Sequence, residues 1–132
     1  MQEDDRSAAQ ERNLAAVAAW VDGYNTQDFA TLELLAAVDL RVEDPASGTE
    51  IAGWGAFLET ARRVADTYPN RRITVTGMLP LGDSAVAVQG VWDATAAADT
   101  STGVRCGDDV HHVESMVVEF VDGKIARRRI YR

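Results

Sequence analysis

At Tyr68-Pro69-Asn70 the sequence changes its apolar period and does not change back. Upstream, apolar residues recur every three or four positions; downstream they alternate, one residue in two. A chain that is helical first and antiparallel-stranded second builds an α+β domain, with helices laid against one face of a single sheet. With 132 residues there is enough chain for one core and one pocket.

In the upstream part, Leu14, Val17, Val21 and Tyr24 keep helical spacing from Ser7 to Tyr24, with Ala18 and Trp20 alongside. Ser7 and Gln10 have the spacing of a capping box. The acidic, polar start, residues 1–12, reads as a flexible tail ahead of one domain spanning 13–132, even though Ser7 can already open the helix. The segment "YNTQD" breaks the helix, and Asp28 caps a short second one carrying Phe29, Leu32 and Leu35. Leu40 and Val42 alternate into a strand that Pro45 ends. A third helix over about 53–66 buries Trp54, Phe57, Leu58, Ala61 and Val64. The strands then follow as "RRITVTGML", "AVAVQGVWDA", "VHHVESMVVEF" and "IARRRIY", joined by the turns "LGDS" and "VDGK".

Charge narrows the function. The net charge is −8, from 21 acidic and 13 basic residues, which disfavours nucleic acid and anionic membranes as partners. No apolar run approaches the ~20 residues that span a bilayer, and the acidic, polar start is not expected to act as a targeting segment. The lone Cys106 cannot form an internal disulfide. A cytoplasmic protein is the expectation. No metal or cofactor is expected either. His111 and His112 are adjacent on a strand and face opposite sides, so they cannot share an ion; His112 with Glu114 supplies two ligands and no third.

Within "VDLRVEDPASGTEIAG" the strand ends on two carboxylates, Glu43 and Asp44. Asp44 before Pro45 has two readings: a turn starter that accepts from nearby backbone N–H groups, or a base held at the edge of a pocket. Glu43 is expected to point outward into solvent.

The run "AWVDGYNTQDFATLELLAAVDLRVEDPASG", the Gly-started third helix and hairpins ending in "FVDGKIARRRIY" together resemble the nuclear-transport-factor-2-like superfamily. Within it the chain is similar to ketosteroid isomerases and SnoaL-like polyketide cyclases. The resemblance implies a cone-shaped α+β barrel, its helices packed in a strongly curved, mainly antiparallel sheet. It also places the isomerases' general base on Asp44, their oxyanion-hole tyrosine on Trp20 and their protonated aspartic acid on Met116. The cyclases' histidine falls on Met116 too, and their aspartate one position past Arg132. Trp20 has an N–H to donate; Met116 has nothing.

Counting by twos from Met116 puts His112, Glu114 and Val118 on the inner face, with Val86, Val88, Gly90, Trp92 and Ala94 on the next strand and Ala126, Arg128 and Ile130 on the last. Asp44, Trp20, Phe57 and Tyr24 enter from the helical side. The inferred hollow is apolar and aromatic with a few polar groups, as small-molecule sites are. Asp44, His112 and Tyr24 are its candidate catalytic groups. Trp20, Phe57, Val88, Trp92, Glu114, Met116 and Arg128 are candidate substrate contacts. The expected function is an isomerase or cyclase working by acid–base chemistry on a hydrophobic, oxygenated, polyketide- or steroid-like molecule. The alternative is a module of the same fold that binds a ligand or assembles without chemistry. The outer sheet face is expected to carry Ile73, Val75, Val113, Ser115, Val117, Ile125 and Tyr131, and the resemblance implies a homodimer through it.

Overall fold

The computed structural model describes residues 6–131. Three helices and six strands follow in the order α1 (Ala8–Thr26), α2 (Phe29–Leu35), β1 (Ala36–Asp44), β2 (Thr49–Ala52), α3 (Trp54–Thr67), β3 (Arg72–Leu81), β4 (Ala85–Thr95), β5 (Asp109–Val121) and β6 (Lys124–Tyr131). One open sheet runs β2-β1-β6-β5-β4-β3. Only the β1–β6 pair is parallel. The α+β architecture expected from the period change is present. No described helix is long and apolar enough to cross a membrane.

The start of α1 is fixed by its cap. The Ser7 hydroxyl accepts from the Gln10 backbone N–H at 3.1 Å, and the Gln10 side chain accepts from the Ser7 N–H at 3.0 Å. The Ser7 hydroxyl also donates to Asp83, and Gln10 and Asn13 donate to the Gly82 and Asp83 carbonyls. These bonds moor α1 to the β3–β4 turn, so residues 8–12, expected in a tail, belong to the helix; residues 1–5 lie outside the described residues. At its other end α1 stops at Gln27, whose φ of 59° is left-handed. Asp28 then caps α2, accepting from both the hydroxyl and the backbone N–H of Thr31, and these bonds hold its carboxyl below the ordinary aspartate value. The short strand β2 has no alternating apolar residues; it forms because Thr49–Ala52 pairs back onto β1.

Register decides which residues face the helices. Ile73 lies opposite Trp92 and Val75 opposite Gly90, so both face inward rather than outward, and Ile73 is only 4% exposed. Directly opposed residues share a face, and a bulge between Val75 and Gly77 then brings Met78 inward opposite Val88. A second irregularity lets Glu119 face Arg127 and Phe120 face Ile125, skipping Ala126. Ile125 therefore joins the core in place of Ala126, against expectation. Val113, Ser115, Val117 and Tyr131 do lie on the outer face.

Gly90 shows how closely β3 and β4 approach. A Cβ there would lie 2.8 Å from the Thr74 carbonyl oxygen, a backbone atom that cannot swing aside. Gly90→Ala gains ~0.4–1 kcal/mol from a stiffer unfolded chain, but overpacking costs ~1–3 kcal/mol. The clash wins, so the urea midpoint should fall with an unchanged slope.

Candidate functional site

Along β1 the burial alternates: Leu40 and Val42 are buried, Arg41 is exposed. Asp44 continues the inward phase and is half-buried. Its backbone carbonyl forms the turn, accepting from Gly48 N–H at 2.9 Å, while its side chain makes a long contact of 3.4 Å with Ser47 N–H. The turn is closed by that main-chain bond. Glu43, on the opposite face, is not solvated as expected. It accepts from Arg127 Nε and Nη2 at 2.9 and 3.0 Å and from Arg129 Nε at 3.2 Å. The Arg127 bonds above all, and then Arg129, hold its carboxyl below the usual glutamate range.

Inside the cone, Trp20 of α1 is 3% exposed. It packs on Phe57 of α3, with ring centroids 5.4 Å apart, and Phe57 packs on Trp54 at the same distance. The Arg128 guanidinium lies 5.3 Å from the Trp20 ring and 3.3 Å from Met116 Sδ. Glu114 and Arg128 are each 5% exposed, uncommon for charged groups. The Trp20 Nε1–H is buried and has no hydrogen-bond partner among the described residues.

The roomy hollow expected here is filled. The enclosed space between Val17, Trp20, Val21, Met116, Val118, Ile125 and Arg128 is about 10 Å³. A small-molecule pocket needs ~300 Å³ or more, and this space barely admits one water. Alternation had identified the inward residues; the Trp20 and Phe57 rings and the long Arg128 side chain then occupy the volume between them.

A second group of predicted residues meets at the wide end. Trp92 Nε1 donates to Tyr24 Oη at 2.9 Å. The Tyr68 ring meets Trp92 edge-on at 5.1 Å, and His112, exposed, stacks on Trp92 at 5.7 Å. His111 points the other way and pairs with Asp93 at 2.6 Å, as alternation requires. His112 is four residues from Met116 along β5, ~13 Å at strand rise, whereas Asp44 lies near the Met116 level, one residue past the Glu43–Arg129 pair. Asp44 and His112 are thus at different depths. Val88 lies in the core between the two groups. No group of three metal-ligating side chains occurs among the described residues.

One buried residue went unrecognised in the sequence: Arg71, 2% exposed, its guanidinium 4.3 Å from the Tyr24 ring. Alternation puts Arg71 on the same face as Ile73, and only the pairing of Ile73 with Trp92 turns that face inward, so the sequence held half of the signal.

The family model for the SnoaL-like domain matches residues 17–128. Among solved structures, a protein assigned as a SnoaL-like polyketide cyclase from Jannaschia superposes with a TM-score of 0.84 at 17% identity, covering 96% of this chain and 89% of that one. One assigned as a polyketide cyclase from Xanthomonas campestris gives 0.82 at 20% identity, covering 95% and 93%. An epoxide hydrolase of the LEH-like type from Mycobacterium tuberculosis gives 0.76 at 20% identity, covering 92% and 83%. No protein of curated function matches the sequence. At these identities the structural likeness speaks for the fold alone, whereas the family model spans most of the chain. The chain belongs to the SnoaL-like domain family and has the nuclear-transport-factor-2-like α+β fold.

Proposed function

We propose that this protein is an acid–base enzyme of isomerase or cyclase type, acting on a hydrophobic, oxygenated small molecule with Asp44 as the base. The observation that carries it is the set of polar groups on the inner face: Asp44 on the strand's inward phase, buried Glu114 and Arg128, and the Trp20 N–H without an acceptor. Buried ionic groups contribute little net stability compared with apolar residues of the same size, so their place on the inner face fits a role other than packing. The names of the neighbours, polyketide cyclase and epoxide hydrolase, point to oxygenated substrates. Asp44 removes a proton from an activated carbon and returns it at the new position, while the Trp20 Nε1–H donates a hydrogen bond to the oxygen that becomes negative. The filled interior means that the substrate enters by displacing a wall. That wall is α3, which carries Phe57 and Trp54 and begins at Gly53, where φ is 92° and no side chain caps the helix.

The test is deuterium incorporation, followed by NMR in heavy water, into a panel of apolar cyclic enones and β-diketones. Exchange above the buffer rate is expected. A second reading, ligand capture or assembly without chemistry, draws on the packed interior and on Met116 standing where the family places a donor; binding without exchange would favour it.

The outer face supports self-association. Leu79, Val113 and Tyr131 are exposed on it, 61%, 60% and 43% respectively, and no helix covers them. A second copy presenting the same patch about a two-fold axis buries both. Sedimentation at tens of micromolar should give a species of twice the 14.3 kDa chain mass; a monomer alone would count against the dimer.

A further inference from the structure

Arg71 is the most deeply buried charge among the described residues. One of its nitrogens, Nη2, donates to the Tyr24 carbonyl at 3.1 Å. Because α1 has no basic residue in its last turn, Arg71 supplies the cation that favours the negative end of that helix. This structural duty uses only part of the guanidinium, which has five N–H donors. Nε and Nη1 are buried and have no hydrogen-bond partner among the described residues, and no carboxylate there pairs with the side chain. Burying such donors unmatched is strongly disfavoured.

The Tyr24 hydroxyl points to the same conclusion. Its oxygen accepts from Trp92 Nε1, so its own proton is directed to another acceptor, and none occurs among the described residues. Chains of this kind polarise one another, making the terminal O–H a better donor. The ring beneath the guanidinium and the hydroxyl at its end bring these donors to one spot, with Tyr68 and Trp92 as apolar neighbours.

We propose that Arg71 and the Tyr24 hydroxyl form an anion-binding site at the wide end of the cone, taking the carboxylate or enolate oxygen of a small ring-bearing acid. The site rests on the reading above, in that the ligand enters the same cone. Tyr68 ends α3 and its carbonyl accepts from the Arg71 backbone N–H at 3.1 Å, so displacement of that helix is the proposed route of access to the arginine.

The experiment is tryptophan-fluorescence titration of the whole chain with naphthoate and with neutral naphthamide, which have nearly the same shape. Naphthoate should bind ~10-fold tighter or more, the size of a hydrogen bond to a charged group. Arg71→Met should abolish that ratio and Arg71→Lys should retain part of it. Tyr24→Phe, which keeps the ring under the guanidinium, should lower the ratio several-fold. A purely structural arginine would move the unfolding midpoint and leave the ratio alone. If Arg71→Met does not fold, the wild-type ratio and Tyr24→Phe decide. Equal affinities in the wild type, or no binding of naphthoate, overturn the site. Because no turnover is measured, anion preference without deuterium exchange keeps this site and removes the enzyme reading, whereas exchange without preference does the reverse.

Discussion

Replacing Asp44 by Asn should slow deuterium exchange ~10²–10⁴-fold, the contribution of a positioned general base, while the fold persists. The two side chains have the same shape. Asn retains an oxygen to accept the long contact from Ser47 N–H, and the turn itself depends on the Asp44 backbone carbonyl. What Asn lacks is the lone pair able to take a proton as a carboxylate does. The two readings of this residue therefore separate cleanly. A base loses activity and keeps its unfolding midpoint. A turn starter loses ~1 kcal/mol or less of stability and has no activity to lose. Unchanged exchange in Asp44→Asn would remove Asp44 from the mechanism.

Phe57→Ala should be the most destabilising single change near the site, by ~3–5 kcal/mol. The ring is 5% exposed and lies between Trp20 and Trp54, so its loss removes buried apolar area and two aromatic contacts at once. The same substitution should open an apolar cavity between the Trp20 and Trp54 rings, where Phe57 packs. Benzene should then raise the variant's unfolding temperature and leave that of the wild type nearly unchanged, since a ligand that binds only the folded state stabilises it. A loss of less than ~1 kcal/mol, far under the usual range for Phe→Ala, would show that α3 collapses inward to fill the gap. It would also remove the argument that Phe57 keeps the cone closed.

Much of the architecture was legible because its signals are local. Ser7 with Gln10, Asp28 with Thr31, and the left-handed Gln27 mark helix ends through bonds between residues three or four apart. The "VDGK" turn needs only its own four residues, with positive φ at Asp122 and Gly123. The inward identity of Trp20 and Met116 followed from the family resemblance, and that of Val88, Trp92, Glu114 and Arg128 from counting by twos along and beside Met116; each is buried or half-buried against the helical side. β2 was missed because pairing with β1, not its own composition, makes it a strand.

Phase on the neighbouring strands was another matter. Ile73, Val75 and Ile125 were placed outward because alternation says which residues share a face, not which face that is. Pairing with Trp92, Gly90 and Phe120 turned them inward, and bulges reset the count within β3 and β6. Glu43 looked solvated because its partners, Arg127 and Arg129, are 84 and 86 residues away in sequence.

The sequence by itself determined the order of helices and strands and the capped ends, since each depends on neighbours along the chain, and its pattern as a whole pointed to the family. Only the tertiary structure decided how much space the inward residues leave. Volume is what remains after side chains from α1, α3, β5 and β6 have packed together, and here Trp20, Phe57 and Arg128 leave almost none. It also decided that Asp44 and the Tyr24–Trp92–His112 group sit at separate levels, and that Arg71 is buried beside Tyr24 without a counter-charge among the described residues. Those facts follow from strand register and helix placement, which are set by contacts between segments far apart in the chain.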